Sequence, residues 1–417
     1  MTDQTITMTT ESDSNPPCSA TANTAERAHV DFDHEINRAG SHSLKYDARE
    51  NVFGKPDVIP LWVADMDFAS PPAITEALAA RARHPMYGYT LFPDSLYEAV
   101  INWMQHRHGW TIKREWIVFC PGVVPSLNAA IMAFTHVADP VIVQPPVYFP
   151  FFSAVTNNDR KLLPNPLQLK NGTYTIDFDH FAKCAKQAKL LLLCSPHNPV
   201  GRVWDKQELM KLLDIAEKND VLIISDEIHA DLIYPGHKHH VTATLAENPA
   251  RVITAMSPTK TFNIAGLNLS VLIIPDEKQR TKMNQVFDTF HVTASNPFSI
   301  VAFETAYREG APWLEALLHY LQGTRDAVDA FLKEHLPEIK LIKPEGTYLS
   351  WLDCRRLNMT DAQLKHFFIH QAGVGMNPGP QFGKMEGSGF MRLNLGAPRN
   401  IILKALKQIK EATQDTR

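Results

Sequence analysis

Short apolar runs of strand length recur through the middle of the chain. They occupy residues 117–120, 141–143, 190–194, 221–224, 252–256 and 271–274. Their apolar residues are nearly continuous instead of alternating with polar ones, which is typical of strands that are buried on both faces. The pattern therefore predicts a mostly parallel sheet that is covered by helices on its two sides.

Helical patterns fill the segments between these runs. Ser70 as N-cap with Pro71 at the first helical position marks a helix start, and Asp205 with Glu208 three residues later marks a capping box. Further helical signals are the segment from about Asp94 toward Gly109 and three apolar sets at helical spacing: Ile74, Leu78 and Ala82; Leu127, Ala130, Ile131 and Phe134; and Leu209, Leu212 and Leu213. Strands that alternate with helices predict the α/β class.

The pattern changes after about Tyr307. A long helix through Leu317 and Val328 is followed by strands near Lys340 and Tyr348, a helix near Leu364 and a closing helix from Pro398. This mixture indicates a smaller α+β domain. We therefore expect a disordered tail at 1–28, an N-terminal segment at 29–69, a large domain at 70–306 and a small C-terminal domain at 307–417.

Composition narrows the kind of partner. The 417 residues include 41 basic and 45 acidic side chains dispersed along the chain, so no footprint for nucleic acid or a membrane surface is predicted. No apolar stretch approaches the roughly 20 residues that cross a bilayer, and the polar N-terminus, up to about Arg27, is unlike a signal peptide. Five cysteines without metal-ligand spacing indicate neither a disulfide framework nor a metal site. We expect a soluble, cytoplasmic protein with a small-molecule ligand.

Three of the predicted strands end in polar signatures. The run 190–194 leads into SPHNPVG at 195–201, the run 221–224 into SDEIH at 225–229, and the run 252–256 into SPTK at 257–260. Ligands of open α/β sheets bind at the carboxyl ends of the strands. The three signatures are therefore predicted to converge on one site.

In this order the signatures resemble those of the fold-type I pyridoxal-phosphate (PLP) enzymes of the class I/II aminotransferase superfamily, from about Asp47 to the C-terminus. The blocks DVIPLWVADMDF at 57–68 and KTFNIAGL at 260–267 resemble its cystathionine β-lyase and cysteine-S-conjugate β-lyase branch, the MalY/PatB type. The resemblance implies the PLP-transferase fold of aspartate aminotransferase, with pyridoxal 5′-phosphate bound by the 70–306 domain. It also implies that 29–69 packs with the small domain and the substrate entrance.

The resemblance assigns roles around the cofactor ring. Lys260 would hold the cofactor as a Schiff base and then remove the substrate Cα proton, which suits a lysine whose pKa is lowered by burial. Asp226 would keep the pyridine nitrogen protonated. Asn198 would hydrogen-bond the phenolic oxygen of the ring. His229 would also bind the cofactor, since it stands where aminotransferases usually have a tyrosine that contacts the same oxygen, and Tyr148 would stack on the ring. A packed histidine and a core tyrosine are the alternatives for the last two.

The resemblance also implies a phosphate cradle. It would combine the backbone amides of Gly122, Val123 and Val124 at a helix N-terminus with the hydroxyls of Ser257 and Thr259.

Two positions near the implied cradle have further consequences. Asn268 stands where many aminotransferases carry a phosphate-binding arginine, so part of the charge compensation must come from elsewhere. Tyr89 matches the tyrosine that a partner subunit extends to the phosphate, which implies a homodimer with shared active sites. Loop packing is the alternative for Tyr89.

Arg392 matches the arginine that binds the substrate α-carboxylate. A guanidinium suits this role because its planar fork makes two parallel hydrogen bonds to a carboxylate. Arg399 is the competing candidate, and a surface ion pair is the alternative for either. Trp62 and Ala64 belong to the block that would line the substrate entrance. The substrate is therefore expected to be a small amino acid.

Two reactions share the proton abstraction by Lys260. If a thiolate then leaves Cβ, the products are a thiol, pyruvate and ammonia, whereas return of the proton to the cofactor gives transamination. The lyase-like blocks and His229 favour elimination, so we expect a PLP-dependent carbon–sulfur β-lyase acting on L-cystathionine or S-substituted L-cysteines. An aminotransferase is the alternative. A binding protein without turnover is a third hypothesis, which the intact set of reactive groups disfavours.

Three histidines, His237, His239 and His240, cluster in one segment. Neighbouring Pro, Gly and Lys residues are typical of an exposed loop, and no acidic or cysteine partner stands at ligand spacing. We interpret them as loop residues and expect no metal.

Overall fold

A computed structural model describes residues 30–292 and 294–415 of the chain. The chain divides into a short unit, Met1–Asp31, and a large unit, Phe32–Arg417, and the fold that follows is that of the large unit. The disordered tail predicted for 1–28 lies outside the described residues.

The strands are numbered in chain order. They are β1 (Ile59–Pro60), β2 (Ile117–Cys120), β3 (Pro140–Val143), β4 (Lys161–Pro164), β5 (Gln168–Lys170), β6 (Thr173–Thr175), β7 (Leu190–Cys194), β8 (Leu222–Asp226), β9 (Val252–Met256), β10 (Ser270–Ile273), β11 (Lys340–Ile342), β12 (Leu349–Asp353), β13 (Val374–Gly375), β14 (Asn377–Pro378) and β15 (Phe390–Asn394).

The α-helices are numbered in the same way. They are α1 (Leu44–Asp47), α2 (Arg49–Phe53), α3 (Pro72–Arg83), α4 (Asp94–His108), α5 (Val123–Phe134), α6 (Pro150–Thr156), α7 (Phe178–Ala185), α8 (Lys206–Lys218), α9 (Pro258–Thr261), α10 (Glu277–Thr289), α11 (Pro297–Glu309), α12 (Ala311–His335), α13 (Asp361–His366) and α14 (Arg399–Asp415). A π-helical turn, Phe367–Gln371, follows α13.

The central sheet has seven strands in the order β2-β10-β9-β8-β7-β3-β4. Its neighbours are parallel except that β10 is antiparallel to both β2 and β9. Every residue of β7, β8 and β9 is buried, as their continuous apolar runs predict. Side chains of α5, α6 and α10 join the sheet in one apolar core. The predicted α/β class and mostly parallel sheet are confirmed.

Two predicted helix starts have different outcomes. Asp205 forms the expected capping box, because its carboxylate accepts the Glu208 amide at 2.8 Å and the Glu208 carboxylate accepts the Asp205 amide at 3.0 Å. The other helix start is displaced by one residue, since Pro71 is the N-cap and Pro72 is the first helical residue. A residue that precedes proline is disfavoured in the helical region, so Pro71 stays extended and only Pro72 begins α3.

A second sheet lies in the C-terminal part of the chain. Its order is β11-β12-β15-β14, with antiparallel neighbours throughout, and α12 packs against both β11 and α14. This arrangement has the predicted α+β character. The proposed boundaries at 70–306 and 307–417 stay a prediction.

Two further properties concern the chain as a whole. Within the described ranges, no helix combines the length and the apolarity that crossing a bilayer requires. Cys120, Cys184, Cys194 and Cys354 are free thiols, and all four are buried.

Buried charges attach the N-terminal arm, which we define as residues 32–67. The ammonium of Lys45 is fully buried and lies 2.8 Å from a carboxylate oxygen of Asp67. The guanidinium of Arg38 binds the other oxygen of Asp67 at 2.6 Å and the carboxylate of Asp65 at 2.7 Å. Because buried charges are tolerated only when they are paired, these contacts fix Asp65 and Asp67 to the start of the arm.

We expect Lys45→Met to lower the free energy of unfolding by about 3 kcal/mol, because it leaves the buried Asp67 carboxylate with only one cationic partner. Urea unfolding followed by fluorescence measures the change. Lys333→Met is the matched control, since its ion pair with Asp329 leaves the lysine side chain 74% exposed and should change the stability by less than about 0.5 kcal/mol. Equal effects of the two substitutions would contradict the role assigned to Lys45.

Candidate active site

The three polar signatures meet at one edge of the central sheet. Cys194 at the end of β7 is paired with Asp226 at the end of β8, and Asp226 is paired in turn with Ala255 of β9. The segments that follow these ends carry Asn198, His229 and Lys260. The convergence that the sequence predicts is therefore present.

Lys260 lies in the single turn of α9, which Ser257 caps through its hydroxyl. Its Nζ donates a hydrogen bond to the Ala64 carbonyl at 2.7 Å. The pKa of Lys260 is lowered to about 8, mainly by burial; the charge of Asp65 opposes this effect, that of Arg392 reinforces it and that of Asp226 opposes it. Near neutral pH a larger fraction of this lysine is uncharged than of a lysine with the ordinary pKa, and the uncharged amine can act as a base or a nucleophile.

Asp226 is buried at the end of β8. Its carboxylate accepts a hydrogen bond from the Ile228 amide at 3.1 Å. Burial raises the pKa of Asp226 to about 7, with a further contribution from Glu227, while the Ile228 amide and Lys260 act in the opposite direction. A cationic N–H donor placed against this carboxylate would favour its charged form.

His229 has an imidazole that is held neutral. Burial, followed by the positive charges of Lys260 and Arg392, lowers its pKa to about 3. Its Nδ1 is buried and has no hydrogen-bond partner among the residues that the structure describes. The ring contacts Tyr348 edge to face, with 6.0 Å between the ring centroids.

Arg392 projects from β15 into the same cluster. Its guanidinium donates to Asn198 Oδ1 at 3.2 Å, to the Trp62 carbonyl at 2.8 Å and to Asn377 Oδ1 at 2.7 Å. Burial lowers the pKa of Arg392 to about 10, which leaves it charged at neutral pH. Its Nε is buried without an acceptor in the described part of the chain.

The competing candidate, Arg399, lies elsewhere. Its amide and guanidinium bind the hydroxyl and carbonyl of Tyr320, and its Nε donates to Thr324 at 3.2 Å. The structure therefore brings Arg392, and not Arg399, together with Asn198.

The segments of the predicted phosphate cradle are adjacent. Gly122 is the N-cap of α5 with a φ of 152°, a backbone conformation that L side chains rarely adopt, and the first turn of α5 contains Val123 and Val124. The Ser257 hydroxyl lies 2.8 Å from that of Thr259. It also binds the carbonyl of Leu269, whose neighbour Ser270 is paired with Cys120 just before Gly122.

A helix N-terminus provides amides that have no acceptor inside the helix and suits an anion. Both the amides and the hydroxyls of the predicted cradle are therefore present along one side of the sheet. Asn268 is exposed.

The two predicted tyrosines have contrasting positions. Tyr148 is at the site, because its amide donates to the Asn198 carbonyl at 3.1 Å. Burial raises the pKa of Tyr148, Arg392 opposes this effect, and Asp226 reinforces it. Tyr89 is fully exposed.

Several residues that complete the site were not predicted from the sequence. The Tyr348 hydroxyl donates to the Ala64 carbonyl at 2.8 Å, so this carbonyl binds both Tyr348 and Lys260. The Asn263 amide group accepts the Met66 amide at 2.8 Å and donates to the Met66 carbonyl at 2.9 Å. Asn263 belongs to the lyase-like block at 260–267 but was given no role, and no motif marks Tyr348, because the partners of both residues are far away in the sequence.

The interpretation of the histidine segment was wrong for one residue. The side chain of His239 is only 4% exposed, and its Nε2 lies 2.7 Å from the buried carboxylate of Glu227. A local composition typical of loops could not reveal a partner 12 residues away. Among the described residues, no group of histidine, cysteine, aspartate and glutamate side chains could hold a metal ion.

The residues at this edge fit a flat, anionic, nitrogen-containing ligand such as pyridoxal phosphate. Asp226 accepts one backbone amide and can accept a ring N–H, while His229 Nδ1 and Arg392 Nε lack partners in the described chain. The α5 N-terminus suits a phosphate, and Lys260 is a half-buried amine that can react with an aldehyde. Each functional group of such a ligand has a matching group in the site.

Comparison with known proteins gives consistent results. The family model described as "Aminotransferase class I and II" matches residues 56–409. Cystathionine beta-lyase PatB of Bacillus subtilis is 42% identical over 386 residues, which cover 92% of this chain and 100% of PatB.

Two solved structures extend the comparison. Cystalysin from Treponema denticola, which contains a pyridoxal 5′-phosphate cofactor, superposes with a TM-score of 0.90 and 39% identity, covering 93% of this chain and 100% of cystalysin. The PLP-bound C-S lyase from Staphylococcus hominis has a TM-score of 0.86 and 34% identity, covering 93% of this chain and 98% of the lyase. The similarity therefore includes nearly the whole of each protein.

We expect Lys260 in the cofactor-free protein to react with acetic anhydride with a pH midpoint near 8, because burial favours its uncharged, nucleophilic form. Peptide mass spectrometry after brief labelling measures the acetylated fraction of this lysine as a function of pH. The same lysine in the urea-unfolded chain is the control and should have a midpoint near 10.5, its ordinary pKa. Coinciding midpoints in the folded and unfolded chains would show that the site does not perturb the amine.

Proposed function

This chain belongs to the aminotransferase class I and II family, and from that premise we propose that it is a PLP-dependent carbon–sulfur β-lyase. It cleaves L-cystathionine or S-substituted L-cysteines to a thiol, pyruvate and ammonia. Pyridoxal 5′-phosphate is the cofactor, and the substrate is a small amino acid.

One observation carries the proposal. A half-buried lysine with a lowered pKa lies in the same cluster as a buried carboxylate and a buried arginine, in a chain that is 42% identical to a cystathionine β-lyase along that protein's whole length. These three groups provide the base, the ring-nitrogen partner and the carboxylate clamp. The combination supports chemistry at the Cα and Cβ atoms of an amino acid.

Arg392 and Asn198 position the substrate. The fork of Arg392 faces the Asn198 side chain and matches the two oxygens of an α-carboxylate. The substrate carboxylate would also supply the acceptor that Arg392 Nε lacks among the described residues. A carboxylate fixed in this way leaves the Cα–H bond with one orientation, which is the condition for efficient proton transfer.

Lys260 moves the proton. When bound, PLP supplies an electron sink that accepts the charge left on Cα. The Asp226 carboxylate would hold the ring nitrogen protonated, and the neutral amine of Lys260 would take the Cα proton. The electron pair at Cα then forms the bond to Cβ while the Cβ–S bond breaks and the thiolate leaves. With one water consumed, the balance is one thioether amino acid to one thiol, one pyruvate and one ammonia.

His229, which stands where aminotransferases usually have a tyrosine, supports elimination over transamination. Burial lowers the pKa of His229 to about 3, so its imidazole is uncharged at neutral pH. The relatives named above as lyases support the same choice.

We expect the PLP-loaded protein to release pyruvate, thiol and ammonia in equal amounts from L-cystathionine and from an S-alkyl-L-cysteine, over many turnovers and without a keto acid. Coupled assays of the three products measure this. Lys260→Ala is the control and should lose both the turnover and the visible absorbance of the lysine-bound cofactor. Absence of pyruvate, together with amino transfer once a keto acid is added, would reassign the protein to the aminotransferases.

We further propose that the protein is cytoplasmic and that it forms a homodimer with shared active sites. The loop between α3 and α4 exposes four large side chains, Met86, Tyr87, Tyr89 and Leu91, within six residues. An exposed apolar patch of this kind is typical of a surface that a partner covers. Tyr89 at its centre has the match to the tyrosine that a partner subunit extends to the phosphate.

Hybrid dimers test the shared site. Tyr89→Ala should weaken cofactor binding in its homodimer, and Lys260→Ala should be inactive in its own. A hybrid of the two variants, purified through two different tags, should regain about half of the wild-type activity, because one of its two sites then has both native residues. If Tyr89 served its own subunit, neither site of the hybrid would be intact and the activity would stay low.

A further inference from the structure

One buried carboxylate outside the site joins the two chain segments that carry the reacting groups. Asp231 lies five residues after Asp226 and is 3% exposed. Its Oδ2 accepts the hydroxyl of Thr261 at 2.9 Å, and Thr261, the residue after Lys260, is fully buried. We propose that Asp231 and Thr261 form a positioning pair that fixes the main chain of Lys260 relative to Asp226. The proposal rests on the proposed function only where it concerns turnover.

The carboxylate of Asp231 is well anchored. Its Oδ1 accepts Trp103 Nε1 at 3.1 Å and lies 3.0 Å from His108 Nε2, and Arg107 Nε is 4.0 Å away. Burial alone would raise the pKa of Asp231, but the bonds and charges of His108, Arg107 and Thr261 together lower it. The carboxylate is therefore ionised, and its hydrogen bond with Thr261 is charge-assisted and stronger than a neutral one.

Lys260 needs such a support because its helix is a single turn. Four residues are too few for α9 to be stable by itself, so contacts at its two ends must hold it. Ser257 caps the start of the turn, and the Asp231 bond to Thr261 holds its end. Beyond that end the chain changes direction at Asn263, which has a φ of 57°.

The effect on chemistry follows from the length of the lysine side chain. The Nζ of Lys260 lies 2.7 Å from the Ala64 carbonyl. A rotation of α9 would move Nζ away from this carbonyl and from the position of the substrate Cα proton. A displacement of about 1 Å can lower a rate by a factor on the order of 100. Asp231 and Thr261 are not among the residues assigned to the cofactor or the substrate, so they act through Lys260 as positioning residues.

The test compares Thr261→Val, which removes the hydroxyl and keeps the shape, with Thr261→Ser, which keeps the hydroxyl. We expect Thr261→Val to lower kcat by at least about tenfold with little change in KM. The isotope effect on kcat with Cα-deuterated substrate should rise, because proton transfer becomes the slower step. Thr261→Ser should resemble the wild type in all three quantities.

A readout that needs no turnover accompanies the kinetics. In the cofactor-free protein, the pH midpoint for acetylation of Lys260 should move upward in Thr261→Val, because a looser turn exposes the amine to water and weakens the burial that lowers its pKa. The midpoint of Thr261→Ser should not move. This measurement still decides the proposal if the wild type releases no pyruvate and the proposed function fails.

Thr413→Val is the matched control for the loss of one buried hydroxyl bond. Thr413 is buried on α14, and its hydroxyl donates to the Ile409 carbonyl at 2.8 Å. This substitution should lower the thermal stability in the same way without changing the isotope effect or the labelling midpoint. If Thr261→Val does not fold, Asp231→Asn takes its place, since it removes the charge at constant size and should shift all readouts in the same direction. Wild-type kinetics and labelling in the valine variant, or equal behaviour of the valine and serine variants, would overturn the proposal.

Discussion

The site depends on burying an amine, a carboxylate and a guanidinium within one cluster. Each of Lys260, Asp226 and Arg392 loses its hydration, and burial is the largest cause of the pKa change in each. Burial favours the uncharged form of all three, while the attraction between amine and carboxylate favours their charged forms. The resulting balance brings the pKa values of Lys260 and Asp226 close to neutrality, where a proton can be taken up or released at little cost.

This balance requires a rigid environment around Lys260, Asp226 and Arg392. The carboxyl ends of β7, β8 and β9 provide it on one side, because fully buried neighbouring strands set the position of Asp226. The N-terminal arm provides it on the other side. The Ala64 carbonyl binds both Lys260 and Tyr348, and the following residues of the arm are held by Arg38 and Lys45. The Ala64 carbonyl therefore links the arm to Lys260, which follows β9 of the large sheet, and to Tyr348, which precedes β12 of the C-terminal sheet.

The sequence was informative where the structural cause is local. Buried strands have apolar runs, and each polar signature directly follows the run of its own strand. The sheet and the convergence of Asn198, Asp226 and Lys260 were therefore predictable. The β4 strand was missed because an edge strand with a lysine and a proline has no apolar run.

Tyr348 and Asn263 were missed for another reason. Their hydrogen bonds join residues 284 and 197 positions apart, and only the completed fold determines which distant groups meet. His239 was misjudged for the same reason, since its partner Glu227 belongs to a different segment. Its case shows that a segment of loop-like composition can contain a nearly buried side chain that is paired with a buried carboxylate. The candidate site residues that follow buried strands were therefore visible in the sequence, whereas most of the residues that hold them in place were not.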